Sequence, residues 1–128
     1  MGQQQLLLLI LGVIVVGIAI AIGVSMFSAY SVSSNKDAII NDLNNLAANA
    51  YQYRIRLKTM GGGGGTYTNY LIPQKLRTNA DGTFTTTSVS AASITFKGTS
   101  SQKPTNTVTV VLDSTGTLKS FTFANEFL

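Results

Sequence analysis

The chain has no cysteine and no histidine among its 128 residues. Disulfides, thiol chemistry, histidine-based metal sites and the commonest general base are excluded by those two absences. Small secreted domains often use disulfides where their cores are thin. Stability here must come from elsewhere, such as a long helix or assembly with neighbours. Charge is also missing from one end. Nine basic and five acidic residues give a net charge of +4, and every one of them lies at or after Lys36. No charged side chain occurs from Met1 to Asn35. A chain divided so sharply meets two solvents, one apolar and one aqueous.

What fills the uncharged end is a hydrophobic run. Leu6 to Val24 reads LLLLILGVIVVGIAIAIGV, without one polar side chain. At about 1.5 Å per residue a helix of this length spans a bilayer core. The run holds 14 large aliphatic residues. At roughly 1.5–3 kcal/mol each, removing them from water is worth about 20–40 kcal/mol. Whole domains are stable by only about 5–15 kcal/mol. This segment therefore needs lipid or other protein around it.

Three fates are open to such a run. A secretory signal peptide has a basic start, a shorter apolar core and a small-residue cleavage site. The start here, Met1-Gly2-Gln3-Gln4-Gln5, contains no Lys or Arg. A permanent single-pass anchor carries basic or aromatic flanks at the interfaces. Only Tyr30 and Lys36 qualify, both on one side. The third fate is a helix that starts in lipid and later packs against copies of itself. Such a helix is easier to extract without a charged cytoplasmic tether. Gly12, Gly17, Ala19, Ala21 and Gly23 also suit it, because helices in lipid associate closely at small residues, although glycine is in any case more frequent in membrane helices. The expected packing surface is Leu6, Leu7, Leu8, Leu9, Ile10 and Leu11, then Ile14, Val16, Ile18 and Ile20, with Gly12, Gly17 and Gly23 between them. Gln3, Gln4 and Gln5 are candidates for polar contacts that set register, since buried amides need partners; the alternative is that they sit at the cytoplasmic headgroup level.

Beyond Val32 the pattern becomes amphipathic. Ile39, Leu43, Leu46, Ala50, Tyr53, Leu57 and Met60 recur at steps of four and three, a helical stripe. Neither Pro nor Gly occurs from Val24 through Met60. The helix is expected to reach Met60, with Arg54, Arg56 and Lys58 placed favourably for its dipole. Gly61 to Gly65 then end it as a flexible loop. Tyr67, Asn69 and Leu71 suggest one face of a short strand before Pro73. Strands are predicted over 83–89, 93–97, 107–112 and 118–123, rich in Thr, Val, Ile and Phe. Turns fall at Asn79–Gly82 and Asp113–Gly116. Ile94 and Phe96, then Val108, Val110 and Leu112, then Phe121 and Phe123 each share a face. That face needs a cover, and the stripe from Ile39 to Met60 is the available partner. The predicted fold is α+β: a long N-terminal helix, apolar then amphipathic, packed on an antiparallel sheet of about four strands. The expected divisions are 1–30, 31–60, 61–65 and 66–128.

This sequence of parts resembles the type IV pilins and their pilin-like relatives. In that family the apolar helix waits in the membrane until an assembly machinery extracts it. The helices then form a filament core and the sheets an outer shell. The resemblance implies a self-assembling cell-surface filament with an inner-membrane precursor; the alternatives are a non-polymeric membrane-anchored surface domain or a pilin-like component of a secretion machine. It makes Gly2 a candidate processing site, with Gln3 first in the mature chain. If Met1 is first instead, Gln5 takes the fifth position, where the family tends to have Glu. The family's helix-breaking Pro is absent from the run. No catalytic constellation is present, and no cofactor or small-molecule substrate is expected. Gly61–Gly65 lacks the Lys-Ser/Thr ending of a phosphate loop. Arg54, Arg56, Lys58, Lys75 and Arg77 raise nucleic acid as a partner, but ordinary solvated helix-end charges account for them.

Overall fold

The computed structural model describes residues 2–128. Helix α1 (Gly2–Ile55) is followed by a 3-10 turn at Lys58–Met60 and a short helix α2 (Gln74–Arg77). Strands β1 (Gly82–Val89), β2 (Ile94–Ser100), β3 (Thr107–Leu112) and β4 (Leu118–Ala124) come next, and a 3-10 turn at Asn125–Phe127 follows them. The sheet has the order β1-β2-β3-β4, each strand antiparallel to the one before it. This is the predicted α+β arrangement. The chain divides into two compact units, the first ending at Ser33 and the second covering Ser34–Leu128.

The second unit, here called the head, has its core between the later part of α1 and one face of the sheet. Ile39, Leu43, Leu46 and Ala50 are buried, as the stripe predicts, together with Ala47. They meet alternate residues of the strands: Phe84, Ile94, Phe96, Val108, Val110 and Leu112, all buried. Thr95, Lys97, Thr99, Thr107 and Thr109 alternate with these on the opposite face and remain partly open. The two layers lie close at Gly98, where a Cβ would stand 2.7 Å from Ile39 Cγ2 and 3.2 Å from the Phe84 ring. Glycine there is a packing requirement, since even one added methyl group strains a filled core.

The helix ends at Ile55, five residues before the expected Met60. The glycine loop explains the early stop. The amide of Gly63 donates to the carbonyl of Tyr53 (2.7 Å), that of Gly65 to Arg54 (2.6 Å) and that of Gly64 to Arg56 (2.9 Å). In a continued helix the Tyr53 and Arg54 carbonyls would accept from Leu57 and Lys58 instead. The loop thus caps the helix by folding back over its end. It is a loop in the form of a hydrogen-bonded hook. A Cβ at Gly63 would collide with the Thr66 carbonyl oxygen at 1.9 Å.

Two further expectations are corrected with it. Leu57 and Met60 do not pack on the sheet; they are 63% and 68% exposed because the helix has stopped before they can turn inward. Tyr53 is half-buried, and its hydroxyl donates to the Thr68 carbonyl (2.7 Å). The stretch Tyr67–Leu71 is a loop and not a strand. Asn69 has φ +66°, a left-handed conformation that breaks extension. Tyr67 and Tyr70, three apart, are the residues that turn inward, while Leu71 stays exposed. The Tyr67 hydroxyl donates to the Asp113 carbonyl (2.6 Å), and the Tyr70 hydroxyl to Asn49 Oδ1 (2.7 Å). Burial pushes the Tyr70 hydroxyl up to about 12.

β4 departs in part from its predicted face. A register shift falls between Thr109 and Val111, and Ser120 has φ +57°. Phe123 still lies opposite Val108, but it is only half-buried, and Phe121 is 39% exposed. The bulge bends the edge strand away from the core. Lys36 Nζ sits 4.0 Å from the Phe123 ring centroid, closing part of the gap.

Candidate assembly helix

The first unit consists of the beginning of α1, and the helix is explained locally by its long run of aliphatic residues without proline. An 18-residue window of α1 is long and apolar enough to cross a membrane, and none of that window is buried within the chain. All of the large aliphatic residues from Leu6 to Val24 are exposed, from 52% for Ile14 to 72% for Val13. Met26, Phe27 and Tyr30 continue the bare surface at 68–73%.

Each residue predicted for self-packing lies on this helix. Leu8, Leu9, Val13 and Val16 surround Gly12, whose missing side chain leaves a shallow apolar hollow. Leu7 and Leu8 flank a second hollow beside Gln4. A helix displays side chains all round its axis, so Leu6 to Ile20 form no single pocket. They make an apolar cylinder notched at its glycines. A Cβ at Gly12, Gly17 or Gly23 would meet nothing within 4 Å. Each glycine lowers helix propensity by about 1 kcal/mol relative to Ala, and no contact within the chain repays that cost.

Gly2 is the first residue of α1, and Gln3, Gln4 and Gln5 form an exposed first turn. Met1, the alternative first residue of a mature chain, lies outside the described residues. No acidic side chain accompanies that first turn. Its free backbone N–H groups are the positive end of the helix dipole, left without a carboxylate from this chain.

Four of the head's carboxyl groups, Asp42, Asp81, Asp113 and Glu126, are engaged in structure. Asp113 Oδ1 accepts from the amides of Thr115 (3.0 Å) and Thr117 (2.9 Å), while its Oδ2 pairs with Lys119 Nζ at 2.8 Å. The Lys119 ammonium and these turn donors hold the Asp113 carboxyl well below the usual range. Glu126 pairs with Lys103 at 2.7 Å and accepts from Asn106 Nδ2, and its carboxyl is lowered by those two donors. Asp81 is raised, chiefly by a hydrogen bond with the Asp42 carboxyl, then by burial and by the Asp42 charge. Asp42 also accepts from Asn79 Nδ2 (2.9 Å). Among the described residues, no group of three metal-ligating side chains comes together.

The basic residues weighed for nucleic acid are not all alike. Arg77 Nε donates to the Ile72 carbonyl (3.0 Å), and the Arg54 guanidinium lies 5.6 Å from the Tyr67 ring centroid. Arg56, Lys58 and Lys75 are exposed.

Sequence periodicity left out two buried features of the head. Asn35 is buried, donates to the Asp81 carbonyl (3.0 Å) and accepts from Ser100 Oγ (2.5 Å). It sits four residues before Ile39, so the stripe itself points to it. Phe127 is fully buried just past β4 and has no periodic signal. The chain matches no family model, no curated protein and no solved structure.

Proposed function

We propose that this chain is the structural subunit of an extracellular filament built on the type IV pilus plan. In this reading the first part of α1 rests in the inner membrane as a precursor. An assembly machinery then moves it into a helical homopolymer, where copies of the same helix replace lipid around it. The head forms the surface, and the chain performs no catalysis. Asp113 and Glu126, the carboxyls that the fold lowers, are each held in an ion pair, with Lys119 and with Lys103. Self, membrane and assembly machinery are the partners of this reading.

The observation that carries it is the unrepaid glycine set. Gly12, Gly17 and Gly23 have open space at every would-be Cβ, on a helix whose aliphatic residues are all exposed. Close approach by another helix accounts for small residues in an apolar helix. Glycine is also more frequent in membrane-spanning helices generally; the filament reading adds the neighbouring helix that would fill the notches.

Length and composition also suit a permanent single-pass anchor, and that is the rival. Electron microscopy of sheared cell-surface material, with the chain identified in the fraction by mass spectrometry, separates the two. The filament reading expects regular helical polymers made of this chain. Recovery only as detergent-extracted monomers, under every growth condition tried, would establish the anchor and end the filament reading.

A further inference from the structure

The charges that α1 and the residues just past it carry within the head are sorted, while Lys75, Arg77 and Lys97 lie on other elements. At the end where α1 enters the head, Asp37 is exposed and Asp42 and Asp81 meet carboxyl to carboxyl. Lys103 is paired directly with Glu126, which also accepts from Asn106. Lys36 lies over Phe123, and the balance at this end stays anionic. At the other end Arg54, Arg56 and Lys58 follow one another closely. Asp113, the acidic residue near them, is taken by Lys119. The ion pairs among the described residues are Lys103–Glu126 and Lys119–Asp113, so none uses these three cations. Arg54 Nε is buried without a hydrogen-bond partner among the described residues. Ile55, Leu57 and Met60, all more than half exposed, stand among the cations. This end is apolar and cationic, an uncommon surface to leave in water.

We propose that the heads of successive copies dock end to end, the Arg56–Lys58 end of one against the Asp37–Asp42 end of the next. The inference rests on the filament reading and supplies the contact between its subunits. The occupant is a second copy of this chain because the complementary charge is on the same molecule, at the opposite end of the same helical segment. From Asp37 to Ile55 that segment is about 27 Å long at 1.5 Å per residue. A contact of this kind joins two different patches, so it does not close on itself and propagates as an open helix. Copies in contact are therefore offset by about 27 Å along the helix axis, to within the reach of the side chains. The apolar run of α1 supplies packing, and the sorted charges of the head add to whatever register Gln3, Gln4 and Gln5 set, since like charges brought together by a wrong offset repel.

The test uses the full chain and compares sheared filaments from the unmodified protein with those from Arg56→Glu, Asp37→Lys and the two combined. Each single change is expected to lower filament yield at least about tenfold, and the combination to restore it to within about threefold of the original. In parallel, Asp37→Cys with Arg56→Cys in one chain supplies the only thiols present. A short thiol-specific cross-linker applied to these filaments should give a ladder of covalent multimers. Either single cysteine alone should give no ladder beyond dimers. Wild-type yields from both single charge changes, or filaments of the double-cysteine chain without a ladder, overturn the proposal. So does an Arg56→Glu chain that loses binding to anionic phospholipid vesicles while its filaments remain normal, since the cationic end then faces lipid. If the unmodified chain makes no filaments, the filament reading fails first and this contact with it.

Discussion

The glycines of the two units behave in opposite ways. In the head, Gly63 and Gly98 are hemmed in: an added Cβ would strike the Thr66 carbonyl oxygen at 1.9 Å or Ile39 Cγ2 at 2.7 Å. In the apolar unit, a Cβ added at Gly12, Gly17 or Gly23 would meet nothing within 4 Å. Aliphatic residues divide the same way. Ile39, Leu43 and Leu46 are covered by the chain's own sheet, while Leu6 to Val24 are covered by nothing in the chain. The buried aliphatic residues and the hemmed-in glycines of the head have their reason inside the molecule. The apolar unit has the same kinds of residue with the reason missing, so that reason lies in whatever surrounds it.

The contrast is broken most forcefully by charge. Ile14→Lys adds an ammonium to the middle of the bare run, at about 2.5–3.5 kcal/mol on insertion scales, and filaments are expected to disappear from the sheared fraction. The head should melt as before, followed by near-ultraviolet circular dichroism in detergent. Next in size is Leu43→Ala, which opens a cavity between helix and sheet. It should lower head stability by about 2–5 kcal/mol, read from the same melting transition. Gly98→Ala comes third, at about 1–3 kcal/mol of overpacking. Its counterpart, Gly17→Ala, should leave the head transition unmoved and instead reduce filament yield. A head destabilised equally by both glycine changes would erase the distinction between the units.

Acid gives a smaller effect confined to the head. The carboxyls of Asp113 and Glu126 are lowered in the fold by their donors. Their stabilisation is therefore complete above their unfolded values, about pH 4. It fades as the pH falls below that through the lowered values. Asp81 has the opposite sign: its raised value makes protonation favour the fold, and relief of its meeting with Asp42 partly offsets the loss. Melting followed from pH 6 down to pH 2 should show a decline that Asp113→Asn makes shallower. The smallest effect belongs to Leu57→Ala. With its side chain in water, the head's stability should change by no more than about 0.5 kcal/mol.

Much of the head was legible from periodicity. The four-three stripe located Ile39, Leu43, Leu46 and Ala50, and alternation located the four strands to within a few residues at either end. Asn35 could have been read from the same stripe, but a polar residue at a core position signals a partner without naming it. The partners, Ser100 and the Asp81 carbonyl, are 65 and 46 residues away in sequence. The early end of α1 was not legible, because helix propensity favours continuing through Leu57. What stops the helix is a set of backbone bonds from glycines several residues later. The inward turn of Tyr67 and Tyr70 was hidden for a similar reason. A loop has no period, and those hydroxyls answer to Asp113 and Asn49. Of the assembly helix, the sequence disclosed the surface and its composition. Which face meets which neighbour depends on another molecule.

One measurement bears most directly on the uncovered helix. In a chain without native thiols, Val13→Cys carries a single fluorophore at the rim of the Gly12 hollow. Quenching by brominated lipid is then measured in membranes before assembly and in the mature surface form. Assembly on copies of the same helix predicts strong quenching in the first state and almost none in the second. Equal quenching in both would leave the helix in lipid for good, and contradict it.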